Sequence, residues 1–244
     1  MYKDILLERR QNMSGYNGDE NSSAENKMKT NKMKSIFEAF GNIFGLNVCF
    51  VIGCLPIFTI GASLTALYSM CIRLQEDEEE TILAGFIHEY KRNFKQATLS
   101  FLIVLVAFAV MWAEFLVIVY FKGFIVILYS AVLVIEVLVF ALTLPFLFPL
   151  IARYDSGLLT TFKNAFLLSV GFFGSWIKIV VAWVAPFLFS FVIEPMIFIY
   201  TWYLWLLLLF GLIAYGTSYT IRNVFAVNEA RAEKNREEAK NAEI

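Results

Sequence analysis

The sequence predicts an all-α fold, a polytopic integral membrane helical bundle, and three observations carry that prediction. Hydrophobic side chains make up 59% of the 244 residues and charged ones only 17%, well above the roughly 45–50% apolar usage of a soluble domain. Several apolar runs reach the ~20 residues a helix needs to cross a hydrocarbon core of roughly 30 Å. The basic residues gather in alternate connecting segments, as the positive-inside rule requires.

Taken in order, residues 1–35 are polar, with "SGYNGDENSSAEN" at their centre, and are expected to form a disordered cytoplasmic tail because they cannot bury enough surface to fold. They do not read as a signal peptide, since the first apolar run begins only near Ile36. Residues 36–222 are expected to be a single transmembrane helical domain, and 223–244 a charged, helical cytoplasmic C-terminal tail. Apolar runs at about 36–55, 97–120, 124–149, 174–193 and 196–220 supply five crossings, Lys178 snorkelling from the fourth of them. A sixth, 57–74, is short and follows Pro56, which stops the preceding helix from continuing.

Charge decides whether 57–74 crosses. If it does, the clusters around Lys27–Lys34, Arg73–Lys95, Arg153–Lys163 and Arg222–Lys240 share one side and only Lys122 falls outside. The expectation is therefore six crossings with both termini cytoplasmic. Trp112, Tyr120, Tyr200, Trp202 and Trp205 would then mark the outer interface, and Phe172, Phe173 and Trp176 the inner one. Two cytoplasmic interfacial amphipathic helices complete the plan. One places Ile82, Leu83, Phe86, Ile87, Tyr90 and Phe94 on an apolar face, with Glu89, Lys91, Arg92 and Lys95 toward water. The other starts at an Asp155 or Ser156 N-cap, presents Leu158, Leu159, Phe162 and Phe166, and carries Lys163.

Small residues predict close helix packing: Gly41 and Gly45 form G-x-x-x-G in the first crossing, and Gly61, Thr65 and Ser69 repeat at helical spacing in the second. Glu136 lies mid-span, where an ionised acid costs several kcal/mol unless paired or wet. Tyr129 and Thr143 stand seven residues to either side, so a Tyr-Glu-Thr stripe is expected to face the bundle. That stripe, with Thr59 and Ser63, is either a path for protons or polar solute or a set of interhelical hydrogen bonds.

The order "LPIFTIGASLTALYSMCIRL", a charged linker, "KRNFKQATLSF" and "ARYDSGLLTTFKNAFLLS" resembles the YesL family of bacterial membrane proteins, whose molecular function is unknown. The resemblance covers residues 36–220. It implies a polytopic fold in the cytoplasmic membrane and an association with carbohydrate uptake, and it brings no catalytic residue with it.

The residues themselves argue against an enzyme. The only histidine, His88, falls on the cytoplasmic interfacial helix, away from Ser63 in the span, and there is no H-E-x-x-H or phosphate-cradling Gly-Lys-Ser/Thr loop. Cys49, Cys54 and Cys71 lack metal-ligand spacing and read as small packing residues, so neither metal nor other cofactor is expected. With 20 basic and 21 acidic residues the overall charge gives no reason to expect nucleic acid as a partner. The expected partners are the lipid bilayer and a carbohydrate ABC transporter or other membrane subunit. The expected function is a non-enzymatic accessory or partner-binding component of carbohydrate uptake; the alternative is a small transporter or substrate-binding membrane subunit.

Overall fold

The computed structural model describes residues 34, 37–76, 81–189, 200 and 202–242, and every regular element among them is helical. The expected 1–35 tail, apart from Lys34, lies outside the described residues, as do most of the acidic run and the expected turn at 194–195. The chain divides into two units, Met1–Asn42 and Ile43–Ile244. In the first, the described residues are almost all exposed.

Helix α1 (Phe37–Gly53) ends before Pro56, whose extended backbone leads into a single 3-10 turn, Ile57–Thr59. Helix α2 (Ile60–Gln75) follows. Its residues from Gly61 to Ile72 are buried on nearly every side, because small residues let neighbours approach all round it. Gly61 shows how closely: a Cβ there would lie 2.4 Å from the Ala97 carbonyl oxygen, 2.6 Å from Phe101 Cβ and 3.0 Å from the Phe148 ring.

Helix α3 runs unbroken over 39 residues, Ile82–Tyr120. The interfacial helix and the third crossing expected as separate elements are one rod, since no proline interrupts them and the shift from charged to apolar side chains leaves the backbone ladder intact. Gly123, at φ +90°, makes the tight turn into α4 (Phe124–Arg153), a conformation that a Cβ would strain. Two prolines, Pro145 and Pro149, lie inside α4. Pro145 cannot donate to the carbonyl four residues back, and the Trp176 indole donates to that Ala141 oxygen instead, at 2.9 Å. The Ser169 hydroxyl donates to the next carbonyl, Leu142.

Helix α5 (Leu158–Gly171) and helix α6 (Phe173–Leu188) meet at a 102° bend. The N-cap of α5 is Gly157, without a side-chain cap; Ser156 turns its hydroxyl to Thr161 at 2.8 Å. The buried face of α5 is Thr161, Ala165, Leu168 and Ser169, while Leu159 is 83% exposed. A π-helical turn, Trp205–Leu209, leads into α7 (Phe210–Ala242), which runs on through the charged C-terminal segment. Asn47 stitches this irregular turn: its amide donates to the Leu206 carbonyl at 2.5 Å, and its side-chain oxygen accepts from the Gly211 amide at 2.6 Å.

Among the described residues, four helices are long and apolar enough to cross a membrane: Ile57–Gln75, Ile82–Tyr120, Phe124–Arg153 and Trp202–Asn241; the bent α5–α6 pair makes a fifth if it counts as one span. The core centres on Leu67, Met70, Phe146, Ile151, Ile221 and Phe225, where α2, α4 and α7 meet. Trp205, expected at the outer interface, is buried between Phe187 and Phe210.

Candidate functional site

Four helices bring their polar ends to one place. Ser69 and Arg73 lie one turn apart on α2, so both point to the same side, toward the first turns of α3. There Glu89 is 1% exposed. The expectation that Glu89 faces water beside Lys91 and Arg92 is overturned: α2 covers that side of α3 and supplies the partners a buried carboxylate requires.

Those partners are extensive. The Ser69 hydroxyl donates to Glu89 Oε2 at 2.7 Å, and Arg92 Nη2 approaches the same oxygen at 2.7 Å. Arg73 Nη1 and His88 Nδ1 lie 3.5 and 3.4 Å from Oε1. The Asn93 amide donates to Oε2 at 3.4 Å and to the Glu89 backbone carbonyl at 3.2 Å. Arg92 also donates to the Ala152 carbonyl at 3.2 Å, fastening the site to the C-terminal end of α4.

A second cluster adjoins the first. Arg153 reaches Glu76 at 3.2 Å and Glu229 of α7 at 3.5 Å. The Tyr154 hydroxyl donates to Glu229 at 2.5 Å. Burial, followed by the Glu229 carboxylate that accepts its hydrogen bond, pushes the Tyr154 phenol well above its ordinary range.

Both clusters line one cavity of about 570 Å³, within the size range of small-molecule sites. Three guanidinium groups, from Arg73, Arg92 and Arg153, face three carboxylates, from Glu76, Glu89 and Glu229, so the formal charge cancels. The guanidinium forks and carboxylates can exchange internal partners for the hydrogen-bonding groups of a guest. Among the described residues, no group of three or more His, Cys, Asp or Glu side chains is placed to hold a metal ion.

The residues singled out in the sequence fall in several places. Ser69, expected only to pack, belongs to the Glu89 cluster. Arg92 joins it, whereas Lys91, Lys95 and Lys163 are exposed. Thr59 donates to the Gly53 and Pro56 carbonyls and Ser63 to the Phe50 carbonyl at 2.8 Å, so both serve the backbone of the α1–α2 hairpin. Thr65 is fully buried, and its hydroxyl has no hydrogen-bond partner among the described residues. Gly45 makes ordinary contact with Ile82, while Gly41 has open space around it and brings no close approach.

The Tyr129-Glu136-Thr143 stripe does not face the bundle as a unit. Tyr129 is 36% exposed and Glu136 half-buried, and Thr143, which is buried, donates to the Val139 carbonyl of its own helix at 2.7 Å. Packing around α4 begins only near Thr143. A second polar chain escaped sequence reasoning: Trp183 Nε1 donates to the Tyr68 hydroxyl at 2.9 Å, which lies 3.4 Å from the Thr217 hydroxyl.

Fold and site together define a helical membrane protein with several candidate spans and a charged cavity at one end of its packed region. Residues 43–115 match the family model described as "Protein of unknown function, DUF624". The match contains Ser69, Arg73, Glu89 and Arg92 but ends before Arg153, Tyr154 and Glu229. No curated protein and no solved structure matches the chain.

Proposed function

We propose that the chain is a non-enzymatic, multi-pass protein of the bacterial cytoplasmic membrane, with both termini cytoplasmic, that serves carbohydrate uptake as an accessory or partner-binding component. The observation that carries this reading is the Glu89 cavity. It gathers charged side chains from α2, α3, α4 and α7 at the end of the bundle where the basic segments lie. A charge-balanced cavity of this kind suits a polar segment of a partner, such as a subunit of a carbohydrate ABC transporter. The carbohydrate context comes from the motifs resembling the YesL family.

A transporter would need a polar path joining Thr59, Ser63 and Glu136. Thr59 and Ser63 instead satisfy their own hairpin, and Glu136 lies on a largely exposed stretch of α4. The accessory reading accounts better for those positions. Its test is crosslinked purification from membranes of cells growing on oligosaccharide, in parallel with growth of a deletion strain. Recovery of a sugar-transport subunit with the wild type and its loss with Arg153→Ala supports the proposal. No associated transport protein and normal growth of the deletion strain on every sugar tested would sink it.

A further inference from the structure

We propose that α1 and α2 do not cross the bilayer: they form a hairpin that enters from one face and rests its tip, Leu55, Ile57 and Phe58, in the headgroup boundary on the side of the Glu89 cavity. The hairpin's place along α3 sets its depth. Gly61, in the first turn of α2, sits against Ala97 and Phe101, and Ser69, two turns later, bonds Glu89. Beside the same part of α3 lies the end of α1, where a Cβ on Gly53 would meet the Tyr90 ring at 3.5 Å. The hairpin therefore accompanies α3 only as far as about Phe101. Beyond it, Leu102–Tyr120 continues for 19 residues, about 28 Å at 1.5 Å per residue, which is the thickness of a hydrocarbon core.

Side-chain chemistry fixes which part of α3 is in lipid. Lys91 and Lys95 are exposed on the stretch that α1 and α2 flank. From Gln96 to Ala113 α3 carries no charged residue, and Val106, Phe108 and Trp112 stand 64%, 54% and 65% exposed. If α2 spanned the hydrocarbon, both lysines would sit at bilayer depth and this apolar segment would project into water. Either alone is unfavourable; a Lys at mid-bilayer costs at least about 2.5 kcal/mol.

Placing the hydrocarbon boundary near Ala97 removes both conflicts and puts the hairpin tip at that boundary. There Leu55, Ile57 and Phe58, exposed by 77%, 69% and 52%, meet lipid. Burial agrees: 67% of the apolar window of α2 is inside the protein, against 6% for α3 and none for α4. Since α1 and α2 are withdrawn as a pair, every later segment keeps its side of the membrane and the charge asymmetry is preserved.

The test uses the full-length protein with Cys49, Cys54 and Cys71 replaced by Ala. An NBD fluorophore is attached at Ile57→Cys, Lys122→Cys or Asp155→Cys, and each variant is reconstituted in sealed vesicles with unequal orientation. Dithionite added outside bleaches only probes at the outer surface, including those at headgroup depth. The expected result is that the position-57 probe bleaches in the same fraction of molecules as the position-155 probe, while the position-122 probe bleaches in the complementary fraction. A position-57 probe that follows position 122 would overturn the proposal. Leu55→Cys repeats the measurement should Ile57→Cys fail to fold.

Discussion

Helix α2 and the outer parts of α3 and α4 all pass as membrane spans by length and composition, yet they live in different surroundings. The α2 span has mean hydropathy 1.5 and is two-thirds buried; those of α3 and α4 reach 2.8 and are almost bare. The chemistry behind the difference is side-chain size. Gly61, Ala62, Ser63, Thr65, Ala66 and Ser69 let helices close in around α2, whereas the branched and aromatic residues of Leu102–Tyr120 present a bulky surface that lipid tails solvate as well as protein does. An apolar helix of sufficient length is thus either a lipid-facing span or the centre of a packed bundle, and the proportion of small and hydroxyl residues separates the two.

Substitutions sharpen that contrast. The largest effect is expected for Glu89→Ala, which removes the carboxylate that Arg73 and Arg92 both approach and should cost about 3 kcal/mol, the low end for a broken buried pair because both guanidiniums keep contact with water. Thermal unfolding in detergent would show it, and an unchanged midpoint would mean the cluster is not holding the helices together. Next, Val106→Lys on bare α3 should cost about 2.5–3.5 kcal/mol in membrane insertion while leaving the detergent-solubilised midpoint where it was; a translocon-insertion assay separates the two effects.

Gly61→Val is expected to cost about 1–3 kcal/mol by overpacking, because its nearest obstacle is the backbone oxygen of Ala97, which cannot rotate away. A neutral Gly61→Val would show that α2 and α3 pack less tightly than their contact implies. The smallest effect concerns alkali. The Tyr154 phenol is raised by burial and by Glu229, so its contribution is complete below the ordinary tyrosine value of about 10 and is lost as pH rises through the higher folded value. Unfolding followed from pH 8 to 12 should show an alkaline loss in the wild type that Tyr154→Phe diminishes.

The helical membrane fold was legible because long apolar runs and basic loops are properties of contiguous sequence. Gly61 was legible for the same reason, as small residues at helical spacing announce close approach. The Glu89 site was not. Its neighbours Lys91 and Arg92 mark that part of α3 as water-facing, and the partners that bury it come from α2 and, through Arg92, from α4. A signal did exist: Ser69 and Arg73 share one side of a segment otherwise rich in small and apolar residues, and a helix that carries a hydroxyl and a guanidinium there needs an acceptor opposite. Asn47 is a similar clue, an amide in an apolar run that proves to satisfy the π-helical turn before α7.

The unbroken length of α3 has a mechanical consequence. A rod of 39 residues is about 58 Å long, with its first turns in the charged cavity and its last at the Gly123 turn. It ties the two ends together in one rigid element, with Glu89 two turns from its start and the Gly123 turn just past its end. The partners of Glu89 from α2 grip that rod at its charged end, which fixes the position of its far, apolar end as well.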